Sequence, residues 1–201
     1  MNKIFIIIVG FCLLVTGVLT KDRLTWSLEI FPILIAAPFL ILTNKKFPLT
    51  RIAYVFIFVH SLILIYGGMY TYANAPLGNW LKEFLHLSRN PYDRIGHFAQ
   101  GFIPAVLARE ILLRKSVLTA GKWLNVIVVC ICLAFSAFYE LIEWWSAIIM
   151  GQASDAFLGA QGDPWDTQWD MLFALIGGIL STLTINSLHT KQLIEQHFIR
   201  K

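Results

Sequence analysis

The sequence predicts an all-α fold, a polytopic membrane helical bundle of about six transmembrane helices forming one integral membrane domain over residues 1–201. Three observations carry that expectation. Hydrophobic residues make up 57% of the chain and charged residues only 14%, against roughly a quarter charged in an ordinary soluble domain. A soluble fold of this length could not cover that much apolar surface. The apolar residues fall in long runs separated by short charged connections, and the basic residues concentrate on alternate connections, as the positive-inside rule requires of a multi-pass protein. The formal net charge of +4 is therefore read as topology, and no nucleic-acid partner is expected.

The first run, residues 4–19, is followed by Thr20-Lys21-Asp22-Arg23 without a small-x-small cleavage site, so it reads as a retained helix and not a signal peptide. The second, residues 28–43, holds Pro32 and Pro38, each able to bend a helix, and stops at Asn44-Lys45-Lys46. The third, residues 52–70, is apolar apart from His60 and Ser61 and loosens at Gly67-Gly68. Residues 71–92 are polar, and within them residues 80–85 separate apolar from charged side chains by face, as a short interfacial helix does. The fourth span, residues 95–113, contains His97, Gln100 and Pro104. The fifth runs from Trp123 to about Glu143 and ends in an aromatic belt at Trp144-Trp145.

Residues 151–165 form an outer loop without lysine or arginine. The sixth span covers residues 166–183, where Gly177-Gly178 offers a surface for close packing. The tail, residues 186–201, is polar and reads as a short surface helix. Several runs are shorter than the roughly 20 residues of a straight crossing, so tilt or local thinning has to cover the difference. Cys12, Cys130 and Cys132 all lie in apolar runs and read as small buried thiols.

With the N-terminus inside, ten basic residues fall on the cytoplasmic side: Lys3, Lys45, Lys46, Arg51, Arg114, Lys115, Lys122, Lys191, Arg200 and Lys201. Five fall outside, Lys21, Arg23, Lys82, Arg89 and Arg94, so both termini are expected in the cytoplasm.

Acidic residues distribute the other way and gather at three outer helix ends. Asp93 and His97 stand four apart, Glu140 and Glu143 three apart, and Asp166 and Asp170 four apart with Asp163 just before them, so each pair shares a helical face. Carboxylates near hydrocarbon must face a bundle interior, meet a cation or reach water. Convergence of the three pairs would suit a divalent metal ion, with Asp93, His97, Glu140, Asp166 and Asp170 as its ligands. Glu140, Glu143 and Asp170 are the candidate catalytic groups. Gln100, His60 and Arg94 are candidate cavity-lining residues. The competing reading makes Asp93 and Asp166 helix caps or first-turn acids, neutralised in part by Arg89 and Arg94. No P-loop, dinucleotide fingerprint, paired-cysteine motif or serine nucleophile elbow is present.

Three blocks carry a family resemblance: Asn90-Pro91-Tyr92-Asp93-Arg94-Ile95-Gly96-His97-Phe98, Phe138-Tyr139-Glu140-Leu141-Ile142-Glu143-Trp144, and Gly162-Asp163-Pro164-Trp165-Asp166-Thr167-Gln168-Trp169-Asp170-Met171. With them the chain resembles the YjdF-like family of bacterial inner-membrane proteins, a domain of unknown function. The resemblance implies a multi-pass protein of the bacterial cytoplasmic membrane and no particular activity. More distantly, over residues 90–185, the order of Asp93/His97, Glu140/Glu143 and Asp170 before Gly177 is similar to that of VanZ-like membrane proteins. Glu143 stands where that pattern has glutamine, which changes the preferred ligand.

The expected function is that of a metal-dependent enzyme acting on a lipid or lipid-linked envelope precursor at the outer side of the membrane, with membrane lipids as surroundings and partners. The alternatives are a small cation- or proton-coupled transporter and a structural or partner-binding membrane protein; a homo-oligomer is compatible with each. Transport needs a polar path leading inward, for which His60 is the only obvious mid-depth group on the third run.

Overall fold

The structure is a computed structural model that describes residues 3–151 and 155–199. Arg200 and Lys201 of the cytoplasmic basic set, and residues 152–154 of the outer loop, lie outside them. The described elements are helical: α1 (Lys3–Leu19), α2 (Arg23–Glu29), α3 (Phe31–Thr43), α4 (Arg51–Tyr70), a 3-10 turn (Tyr72–Asn74), α5 (Pro76–Phe84), α6 (Tyr92–Arg114), α7 (Lys122–Met150), the single turn α8 (Asp155–Leu158), α9 (Asp166–Thr184) and α10 (Asn186–Glu195).

The expected count of about six transmembrane helices is corrected by these elements. Among the described residues, α4 and α7 are long and apolar enough to cross a membrane, and the number rises to 4 if the bent pairs α2–α3 and α9–α10 each form one span. The reasons differ from run to run. α1 is apolar but has 17 residues, a length of about 26 Å against a hydrocarbon core of about 30 Å. α6 is long enough but carries Asp93, Arg94, Arg109, Glu110 and Arg114. The second run is broken at Ile30, where α2 and α3 meet at 44°. Pro32 then falls in the first turn of α3, where a missing N–H costs little, and α3 continues through Pro38.

α7 continues about two turns beyond its expected end, so Trp144 and Trp145 lie within the helix and not at its close. The polar tail is a short helix as expected, exposed along much of its length but anchored on one face. α10 bends 57° away from α9 and buries His189 and Leu193 completely.

α6 and α9 form the closest pair of the bundle, and α7 packs on both. Their contact is set by residues without side chains. A Cβ built on Gly101 would collide with the carbonyl of Ala174, and one on Gly177 with the carbonyl of Phe98. Backbone therefore lies directly against backbone, the approach that small residues permit between membrane helices. α4 packs on α6 and also against α1 and α2. Leu14 of α1, Leu42 of α3 and Ile149 of α7 remain largely exposed, leaving apolar faces that an aqueous solvent would disfavour.

At the C-terminal end of α6 a polar knot closes the bundle. Glu110, fully buried, accepts from the Thr50 backbone N–H at 3.1 Å and the Thr50 hydroxyl at 2.7 Å, and from Arg114 at 2.7 Å. His189 Nε2 stands 3.1 Å from the same carboxylate, and Arg109 reaches His189 Nδ1 at 2.9 Å and Thr190 at 2.7 Å. These bonds tie α4, α6 and α10 together and satisfy the Glu110 carboxylate, which would otherwise be costly to bury.

Candidate functional site

α6 and α9 both begin at the opposite end of the bundle, and their register brings the polar residues together. Gly101 lies on Ala174. One turn toward the N-termini, His97 and Asp170 reach the same spot, and a further turn places Asp93 within electrostatic reach of Asp166. α7 adds Glu140 and Glu143 from the side.

His97 is the centre of the arrangement. It is 4% exposed, and its Nε2 stands 3.7 Å from Asp93 Oδ1 and 3.6 Å from Glu140 Oε1. Its Nδ1 faces the Ser136 hydroxyl at 3.5 Å, and Gln100 approaches the ring from the next turn of α6. Two groups have ligand atoms all within 4.8 Å of one another: Asp93, His97 and Asp170, and His97, Glu140 and Glu143. Each contains a buried carboxylate oxygen without a hydrogen-bond partner, Oδ1 of Asp170 in the first and Oε1 of Glu140 in the second. Buried polar atoms are nearly always paired, so an unpaired oxygen in each of two groups that share one imidazole is an arrangement suited to a cation.

Asp166 is placed differently. Its Oδ1 is bound by Arg89, which also donates to the Gly159 carbonyl at 3.2 Å and lies 3.6 Å from Asp163 and 3.9 Å from Asp93. Burial alone would lower the basicity of the Arg89 guanidinium, but the bond to Asp166 and the charges of Asp166, Asp93 and Asp170 hold it above its ordinary value. Arg94 pairs with Asp163 at 2.9 Å and lies 5.2 Å over the Trp169 ring. Neither arginine offsets the His97 cluster fully, because both lean toward the acids that open α9. Asp166 belongs to neither group around His97, and its side chain caps no helix. His60 lies in α4 outside both groups, with Nε2 buried and without a hydrogen-bond partner.

The segment before α9 folds over this end. Gln161 and Asn90 exchange two hydrogen bonds, at 2.9 and 3.0 Å. Asn90, 1% exposed, also donates to Ala75 and Asn79 and accepts from the Tyr92 N–H. Gly159 has φ +63°, and a Cβ there would stand 3.3 Å from the Asp93 carboxylate. A glycine is what lets the chain turn its carbonyl toward Arg89 at that point.

Glu29 was not among the residues singled out from the sequence. It lies on α2, is 5% exposed, accepts from the Tyr139 hydroxyl at 3.3 Å, and is within electrostatic reach of Asp93 and Glu143. A signal was available, since a lone carboxylate opening an apolar run is costly unless it serves a site. Tyr139 stands edge-on to His97, with ring centroids 6.2 Å apart. Tyr72, in the turn after α4, has its phenol pushed well above its ordinary range by burial, and nearby Glu29, Tyr92, Asp93 and Glu143 add to the shift.

The family described as "Predicted membrane protein (DUF2238)" matches residues 1–191. The chain is 49% identical over 181 residues to the protein titled "Inner membrane protein YjdF" of Escherichia coli (strain K12), covering 90% of this chain and 87% of that relative. No solved structure matches.

Proposed function

The chain belongs to the DUF2238 family of predicted membrane proteins, multi-pass proteins of the bacterial inner membrane, and on that premise we propose that it is a metal-dependent enzyme acting on the polar end of a lipid or lipid-linked envelope precursor. The observation that carries the reading is the pair of unpartnered buried oxygens, Glu140 Oε1 and Asp170 Oδ1, one in each of the two groups that share His97. Asp93, His97, Glu140, Glu143 and Asp170 supply one imidazole nitrogen and carboxylate oxygens from α6, α7 and α9, a donor set for a hard or borderline divalent cation.

A cation held there supplies Lewis acidity toward an ester or phosphoryl oxygen. The remaining chemistry falls to the chain. A carboxylate of the cluster not engaged with the cation takes the proton of an attacking water as the new bond to the ester centre forms, and returns it to the leaving oxygen as the old bond breaks. Arg89 and Arg94 keep the acids that open α9 fixed. The site lies at one end of the bundle, and the concentration of basic residues toward the other end supports an outer location for it. Transport through the chain is less well supported, because the opposite end is closed by the satisfied Glu110–His189 knot.

The test is elemental analysis of gently purified protein beside Glu140→Gln and His97→Ala variants, followed by a lipid turnover screen with the metal found. Stoichiometric metal lost in both folded variants is the expected result. Folded wild-type protein that stays metal-free after resupply with divalent cations would overturn the proposal.

A further inference from the structure

Resting on that reading, we infer that the site is built for two divalent cations side by side, and that its substrate carries a phosphoryl group. The two groups of ligands, Asp93–His97–Asp170 and His97–Glu140–Glu143, share only His97. Each has its own buried oxygen without a hydrogen-bond partner, so one cation would relieve only one of the two positions unless it sat midway between them. The imidazole cannot serve both. Its Nε2 faces the two carboxylates, at 3.7 Å from Asp93 and 3.6 Å from Glu140, while Nδ1 is turned to Ser136. One nitrogen binds one metal, so the second position depends on carboxylate oxygen alone.

Oxygen-only coordination selects hard cations such as magnesium or manganese over zinc. Charge is in keeping with this: metal binding displaces the protons of its carboxylate ligands, and the acids of the two groups, Asp93, Glu140, Glu143 and Asp170, then carry the negative charge that two divalent cations balance.

Pairs of hard cations about 3.5–4 Å apart clamp the attacking and leaving oxygens of an in-line displacement. The matching reaction is hydrolysis at phosphorus. A water oxygen bonds to the phosphorus as the phosphorus–oxygen bond to the leaving alcohol or phosphate breaks, and the water's proton passes by way of a cluster carboxylate to the leaving oxygen. The substrate class is accordingly a phosphate ester or pyrophosphate borne by a lipid.

The experiment is manganese titration of the detergent-purified full chain, read by calorimetry and by electron paramagnetic resonance, beside Asp170→Asn and Glu143→Gln, with thermal unfolding to establish that each variant is folded. Two manganese ions per wild-type chain with an exchange-coupled signal, and one uncoupled ion in each variant, are expected. A single ion in wild type overturns the two-cation inference and leaves the metal-dependent reading standing; none overturns both. Unchanged stoichiometry in both variants also overturns the inference. Inorganic phosphate is expected to tighten manganese binding to wild type at least several-fold, and absence of that effect overturns the phosphoryl assignment.

Discussion

Gly101 of α6 and Ala174 of α9 meet backbone to backbone, the Cα of Gly101 lying where any side chain would strike the Ala174 carbonyl. The contact sets the helix register that carries His97 to Asp170 one turn away. Gly101→Ala is therefore expected to lower stability by about 1–3 kcal/mol, the cost of overpacking a tight contact. Gly10→Ala, where a Cβ meets nothing within 4 Å, is expected to be neutral or stabilising by about 0.5–1 kcal/mol. Thermal unfolding in detergent separates the two, and equal effects would mean that the α6–α9 contact is looser than described.

Arg89 and Asp166 form a buried ion pair linking the segment before α6 to the first turn of α9. Removal of one partner leaves a buried charge uncompensated, which costs about 3–5 kcal/mol. Arg89→Gln is expected to fall in that range, and adding Asp166→Asn to recover part of the loss. Additive losses in the double variant would show that the two groups act independently.

Glu110 and His189 hold α10 against the body of the protein, 3.1 Å apart and both fully buried. Glu110→Ala strips the acceptor from Thr50, Arg114 and His189 together and is expected to cost about 3–5 kcal/mol. Limited proteolysis is the direct measure: cleavage within α10 should accelerate in the variant while cleavage before α6 does not.

Orientation follows from charge. A reporter fused after Lys201 is expected to read cytoplasmic, and one inserted at Gly162 to read external, because basic residues favour the side of the Glu110 end. The same reading from both positions would remove the outer location proposed for the site.

The solvent of this protein was legible from composition, and the helical class from the length of its apolar runs, because both depend on local sequence. So were three polar pairs: spacings of three and four put Asp93 with His97, Glu140 with Glu143 and Asp166 with Asp170 on shared helical faces. What the runs did not settle was how many cross a bilayer. That depended on the break at Ile30, the charges distributed along α6 and the bend between α9 and α10. Only the tertiary structure separated Asp166, held by Arg89, from the acids around His97, and brought in Glu29 from a helix more than a hundred residues away from Tyr139. It also anchored the polar tail through His189, which reaches Glu110 on another helix. Spacing along one helix is a local property of the backbone, whereas the partner of a buried charge is decided by which helices can approach closely enough to share it, and here that was decided by Gly101 and Gly177.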